Sequence, residues 1–162
     1  MIFVTVGTEK YPFNRLLRCV DDAVDAGVIK EEVFAQIGIS SYKPQGFGFC
    51  DFMRYDQMMK MVSGARIVIA HAGTGTYLTC LQANKIPILF PRSTLFGEHI
   101  DNHQVDFSQK MAGAGKAIIA NDTDDLIQKI SDYDNLAKEL NDSREISSKE
   151  KMITFLDSII HQ

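Results

Sequence analysis

The chain has 162 residues, 45% of them hydrophobic and 23% charged, with a formal net charge of -4. That length and balance predict one globular domain with a core of its own and exclude a disordered chain. The mild acidity and the lack of a long basic run exclude a nucleic-acid surface as the main partner.

Ile2 to Val6 is a short apolar run stopped by Gly7, the pattern of a strand buried on both faces. Phe13, Leu16, Leu17, Val20, Ala23 and Val24 follow helical spacing up to Gly27. Val33 to Ile37 predicts a second strand, and a Gly/Pro/Ser-rich loop from Gly38 to Gly48 leads to a short strand near Phe47 to Phe52. Helix over Asp56 to Ser63, strand over Ile67 to Ala70, helix over Thr76 to Asn84 and strand over Ile86 to Phe90 come next. Helix over Ile100 to Met111, strand over Ala117 to Ile119 and mostly helix over Thr123 to Leu140 complete the core. The polar stretch Asn141 to Lys151 reads as a hinge, and Met152, Phe155, Leu156, Ile159 and Ile160 form an amphipathic helical stripe within a C-terminal helix over 147–162.

Strands alternating with helices predict an α/β fold: a Rossmann-like, doubly wound parallel sheet in a single domain. The N-terminal MIFVTVGTEK has no basic region or cleavage site of a signal peptide, and its apolar run is too short to span a bilayer. A cytoplasmic protein is expected, one that reaches a membrane only through a partner. Cys19, Cys50 and Cys80 are odd in number and far apart, which predicts reduced thiols and no zinc site.

In a doubly wound sheet, ligands sit beyond the carboxyl ends of the strands. Three such ends carry polar chemistry: Gly7-Thr8; His71-Ala72-Gly73-Thr74-Gly75-Thr76; and PRSTLFGEHIDNHQ from Pro91 to Gln104. The second has the parts of an anion site. Its glycines allow close backbone approach, the following helix offers free N–H groups, Thr74 and Thr76 can cap or donate, and His71 adds a neutral or cationic donor. A tight strand-to-helix turn explains the same residues equally well. A dinucleotide fingerprint would place a third glycine where Leu78 stands, and no Walker A ending is present. Glu98, His99, Asp101, Asn102, His103 and Gln104 crowd the third end with carboxylate, imidazole and amide, a mixture better suited to sugar hydroxyls than to a metal.

Taken in order, MIFVTVGT…PFNRLL, FMRYDQM, IVIAHAGTGT, KIPILFPR and FGEHIDNHQ resemble the C-terminal, donor-binding half of GT-B glycosyltransferases of family 28. The likeness is to the stand-alone small subunits of split UDP-sugar transferases: bacterial capsular and exopolysaccharide galactosyl- and glucuronosyltransferase subunits, and more distantly the eukaryotic two-subunit N-acetylglucosaminyltransferase. The resemblance implies an inverting transfer from a UDP-hexose (galactosyl, N-acetylglucosaminyl or glucuronosyl), with no cofactor and no metal. It also implies a membrane-anchored acceptor-binding subunit as partner and a lipid-linked acceptor. By position, Gly7 and Thr8 match the turn facing the phosphates, Phe52 and Met53 the segment lining uracil, and His71, Gly73, Thr74, Gly75 and Thr76 the pyrophosphate loop. Asn102, His103 and Gln104 match the sugar-reading cluster. Candidates for the general base are Glu9, Glu98 and His99. Thr79 stands where many relatives bind ribose with a glutamate, and Glu9 where the bacterial subunits often have histidine. A non-catalytic donor-holding or regulatory subunit, and an unrelated flavodoxin-like or epimerase-type nucleotide domain, are the alternatives.

Overall fold

The computed structural model describes residues 1–144 and Leu156. Six strands form one all-parallel sheet: β1 (Ile2–Thr5), β2 (Val33–Gln36), β3 (Gly48–Cys50), β4 (Ile67–Ala70), β5 (Ile88–Leu89) and β6 (Ile118–Ile119). Their spatial order is β3-β2-β1-β4-β5-β6. The helices are α1 (Asn14–Asp25), α2 (Tyr55–Gly64), α3 (Thr74–Gln82), α4 (His103–Gly113), α5 (Thr123–Ser131) and α6 (Tyr133–Arg144). This is the expected Rossmann-like architecture. Its strand order differs from the 2-1-3-4-5 order of flavodoxins, so a flavodoxin-like domain does not fit.

The two-sided burial anticipated for the first strand is realised by alternation. Ile2 and Val4 pack with Leu16, Val20 and Leu126 on one face, while Phe3 packs with Val62 and Cys80 on the other. In register, β1 lies between β2 and β4, with Ile2 flanked by Val33 and Ile67. Ile2, Phe3 and Val4 are 0% exposed, so no edge or face of this strand meets water.

Several boundaries differ from expectation for local reasons. α3 begins at Thr74, two residues early, because Ala72 takes a left-handed φ of 64° and delivers Gly73 directly into the N-cap. α4 begins at His103, after Ile100, because the preceding residues form a knot: the Asn102 carboxamide oxygen accepts from the Thr94 N–H at 3.1 Å and the His103 N–H donates to Asp101. The stretch from Thr123 to Leu140 is two helices, broken at Asp132. Asn141 does not start a hinge; α6 continues through it to Arg144. Except for Leu156, which is buried beside Tyr77, Phe107 and Met111, the expected C-terminal stripe lies outside the described residues. Among the described residues, no helix is long and apolar enough to cross a membrane.

One loop is anchored by a charge. Asp21 on α1 is 2% exposed, and its carboxylate accepts the Tyr42 hydroxyl at 2.5 Å and the Gln45 and Gly46 N–H groups at 2.9 and 2.8 Å. Burial raises the Asp21 pKa, but these hydrogen bonds outweigh it and leave the carboxyl below its ordinary value; Tyr42 is pushed up to about 12 by the same bond. The loop between β2 and β3 is thereby fixed against α1.

Candidate functional site at the β1–β4 crevice

From β1 the sheet proceeds to β2 and β3 on one side, and from β4 to β5 and β6 on the other. The strand order reverses between β1 and β4, so the crevice at their carboxyl ends is the switch point where open α/β sheets bind ligands. A cleft of about 430 Å³ opens there, and its lining includes Gly7, Thr8, Glu9, Met53, His71, Gly73, Thr74, Gly75, Thr76 and Thr79. The first two polar strand ends singled out in the sequence therefore share one cavity.

His71 is the centre of it. Its backbone N–H donates to the Thr5 carbonyl at 3.2 Å, continuing the β1–β4 ladder by one residue. The imidazole is 4% exposed and threads between two glycines. A Cβ on Gly73 would stand 2.2 Å from His71 Nε2, and one on Gly7 2.5 Å from it. Only hydrogen at both positions leaves room for the ring, and Gly7 also has a left-handed φ of 76°. Burial, then the positive charge of Arg92, lowers the His71 pKa to about 3, which favours the neutral ring over the cationic one. Its Nδ1 is buried without a partner among the described residues.

The N-terminus of α3 faces the same cavity. Gly73 is its N-cap and no side chain caps it, so neither Thr74 nor Thr76 plays the capping role open to it. The first helical bond runs from the Tyr77 N–H to the Gly73 carbonyl, which leaves the N–H groups of Thr74, Gly75 and Thr76 ahead of it at the positive end of the helix. Thr79 lines the cleft but donates its hydroxyl back to the Gly75 carbonyl at 3.0 Å. Met53 forms part of the far wall. Phe52 is absent from this cleft: it is 51% exposed and lines a neighbouring cavity of about 490 Å³ that also touches Met53.

The third strand end splits in two. Glu98 turns away from the cleft: Arg15 donates to it through Nε at 2.9 Å and Nη2 at 2.8 Å, the Ser93 N–H donates at 3.1 Å, and Glu98 lines a separate groove. A carboxylate clamped by a fork of this kind holds loop to helix. His99 instead reaches Glu9 on the cleft rim, with His99 Nε2 3.1 Å from Glu9 Oε2. Asp101 lies 3.2 Å from His99 Nδ1 and hydrogen-bonds His103 Nδ1. Asn102 is spent on Thr94. Gln104 is 1% exposed; its Oε1 accepts the Arg92 N–H at 3.2 Å, and its Nε2 has no partner among the described residues.

Two residues of the site escaped the sequence reading. Arg92 is 0% exposed and its Nη2 donates to the carbonyls of Val6 at 2.7 Å and Tyr11 at 2.9 Å, fixing the chain after β1. Gln36 is likewise 0% exposed: it accepts the Thr5 hydroxyl at 2.6 Å and donates to the Gly7 carbonyl at 2.8 Å, which holds the left-handed turn in place. The only signal for either was a long polar side chain at the end of an apolar run, a position that equally fits a solvated residue.

Comparison with known proteins agrees with this construction. A model of the "Glycosyltransferase family 28 C-terminal domain" matches residues 1–159. The chain is 33% identical over 69 residues to "UDP-N-acetylglucosamine transferase subunit ALG13" of Yarrowia lipolytica, covering 43% of this chain and 33% of that protein. It is 28% identical over 123 residues to the human protein of the same name, covering 70% of this chain and 10% of that one. The chain thus spans a third or less of these two relatives. Among solved structures, the glycosyltransferase of kitacinnamycin aligns with a TM-score of 0.65 at 14% identity, over 89% of this chain and 38% of that one. MurG of Acinetobacter baumannii aligns with a TM-score of 0.60 at 16% identity, over 98% of this chain and 49% of that one. At such identities the structural likeness establishes the fold alone. With the family model matched over nearly its whole length and the sheet open at the β1–β4 switch point, this chain belongs to glycosyltransferase family 28 as a domain of the C-terminal type.

Proposed function

We propose that this chain is the donor-binding, catalytic subunit of an inverting UDP-sugar glycosyltransferase whose acceptor-binding half is a separate, membrane-associated polypeptide. The observation that carries the reading is the cleft at the switch point, where glycines flanking a neutral imidazole meet the uncapped N-terminus of α3. Backbone N–H groups held by the sheet and helix are preorganised donors for a diphosphate, and they need no rearrangement as charge grows on the leaving group. The named function of the ALG13 relatives, a subunit of a UDP-N-acetylglucosamine transferase, supports both the uridine donor and the division of labour. The FGEHIDNHQ string favours surface-polysaccharide or lipid-linked oligosaccharide synthesis at the inner face of the membrane.

In the transfer, an acceptor hydroxyl oxygen forms a bond to the anomeric carbon as the bond from that carbon to the β-phosphate oxygen breaks. UDP leaves with the electron pair, and the hydroxyl proton passes to a base. The α3 N-terminus and Thr8 hold the diphosphate, with His71 as a neutral donor behind it. Met53 supports the base, and His103 and Gln104 read the sugar. On this chain, the Glu9–His99 pair is the base candidate at the cleft rim, since Glu98 is committed to Arg15.

A thermal-shift panel of UDP, UDP-galactose, UDP-glucose, UDP-N-acetylglucosamine, UDP-glucuronate, FMN and NAD tests the donor class. A uridine ligand at a hundred times its Kd should stabilise the fold by about 2.7 kcal/mol. No stabilisation by any uridine ligand would refute the reading. Unimpaired transfer by His71→Ala with the partner present would leave only a donor-holding role.

A further inference from the structure

At the rim of the cleft, the end of β1 and the loop before α4 bring Glu9, His99 and His103 together. Each offers one ligand atom, and these atoms lie within 4.8 Å of one another. We propose that Glu9, His99 and His103 form a binding site for a divalent cation of the zinc class, with Asp101 orienting both imidazoles.

Two imidazoles and one carboxylate are the donor set of zinc, cobalt and nickel rather than of magnesium or calcium, which prefer all-oxygen surroundings. Ligand atoms about 2.0–2.2 Å from a tetrahedral ion stand roughly 3.4 Å apart. Glu9 Oε2 and His99 Nε2 are already at 3.1 Å. The remaining contraction falls on side chains that are free to move, since His103 is 50% and Glu9 42% exposed. His99 is the fixed member: only 7% of its side chain is exposed, and its ring packs against Tyr11 at 4.7 Å and His103 at 4.6 Å.

Asp101 supplies the second observation. One of its oxygens, Oδ1, faces Nδ1 of both histidines, at 3.2 Å from His99 and in a hydrogen bond to His103, and it also accepts the His103 N–H at 3.1 Å. A carboxylate that takes the Nδ1 proton of an imidazole presents the Nε2 lone pair outward, the arrangement that orients histidine ligands in metal sites. His103 is set for that task, and His99, whose Nδ1 accepts the Asp101 backbone N–H at 3.4 Å, meets it after a change of tautomer. The opposing charge is Arg92, whose Nη1 lies 3.8 Å from Glu9 Oε2 without a close hydrogen bond. Binding moves the His99 proton from Nε2 to Nδ1, where Asp101 Oδ1 at 3.2 Å accepts it, and the freed Nε2 lone pair takes the ion; the three protein ligands leave a fourth position for water or a substrate oxygen. The lone pairs that hold an ion cannot also accept the acceptor's proton, so ion occupancy and base action by Glu9–His99 exclude each other.

The site is tested on the full chain, without a histidine tag and stripped by chelation, titrated with Co2+ followed by optical spectroscopy and then with Zn2+. The expected result is one Co2+ per chain with visible d–d bands, displaced by one Zn2+. His103→Ala and Glu9→Gln are surface changes that should keep the fold by circular dichroism while weakening binding at least about 100-fold. Asp101→Ala should weaken it by about 10–100-fold, as for other residues that orient metal ligands. Absence of stoichiometric binding by the wild type, or binding unchanged in both His99→Ala and His103→Ala, would overturn the assignment. The titration needs neither UDP nor a partner, so its failure is distinct from failure of the donor assignment.

Discussion

The two glycines around His71 allow a sharp test of how the cleft is built. In Gly73→Ala the new Cβ falls 2.2 Å from His71 Nε2, against an ordinary contact of 3.4–4 Å, so the ring or the loop must move by about 1 Å in a close-packed interior. The backbone at Gly73 is ordinary, with φ -76° and ψ 134°, so the whole effect is steric. Overpacking of this kind costs about 1–3 kcal/mol. Gly7→Ala meets the same ring at 2.5 Å and adds the left-handed φ of 76°, worth about a further 1–2 kcal/mol, and should be the worse of the two. Gly75→Ala is the control: among the described residues nothing lies within 4 Å of its Cβ, it sits in the first turn of α3, and the change should stabilise by about 0.5–1 kcal/mol. Urea denaturation followed by circular dichroism gives all three values, and calorimetry with UDP reports the cleft. Gly73→Ala should lose UDP affinity with its stability. A Gly73→Ala protein as stable as wild type, or a Gly75→Ala protein as damaged as Gly73→Ala, would refute the threaded-ring account.

Glu98→Gln should leave UDP binding at the wild-type level while lowering stability, and a double-mutant cycle with Arg15→Ala should give a coupling of about 0.5–3 kcal/mol; a selective loss of UDP affinity would return Glu98 to the cleft. Asp21 makes a pH-dependent contribution. Its folded pKa is depressed, so its stabilisation is present above the unfolded value of about 3.9 and is lost as pH falls through the lower folded value. The stability gap between wild type and Asp21→Asn, measured by denaturant titration, should therefore be constant from neutral pH to about pH 5 and shrink below about pH 4; a gap independent of pH down to 3 would rule out the linkage.

Much of this architecture could be read from the residues because it rests on short-range rules. The apolar run Ile2 to Val6 and its stop at Gly7, or the run Ile67 to Ala70 followed by His71 and two glycines, mark a strand and its end without any tertiary knowledge. The chemistry at those ends was legible for the same reason, since glycines and a histidine in a strand-to-helix turn are costly unless something approaches closely. Long-range pairing was not legible. Nothing near Glu98 announces Arg15, which is 83 positions away in sequence, and an arginine after Pro91 gives no sign that it is wholly buried beneath the first strand's exit. Helix starts shifted where side-chain to backbone bonds competed with the helix, as at Asn102 and Asp101, a contest that periodicity does not register.

The electrostatics of the cleft also constrain its chemistry. Among the described residues, its wall contains Glu9 and no lysine or arginine. On the proposed donor role, attraction for a diphosphate comes from N–H dipoles at the α3 N-terminus and from Arg92, buried one layer back, whose charge helps to keep His71 neutral. A neutral ring between two glycines is worth keeping in such a wall, because it fills the gap between strand ends without adding a second buried cation beside Arg92. The cost appears at the rim, where the Glu9 carboxylate would face an arriving diphosphate. His99 at 3.1 Å and Arg92 at 3.8 Å offset that repulsion in part, and a divalent cation held by Glu9, His99 and His103 would reverse its sign. Glu9 is therefore the position at which the proposed binding of donor and ion meet.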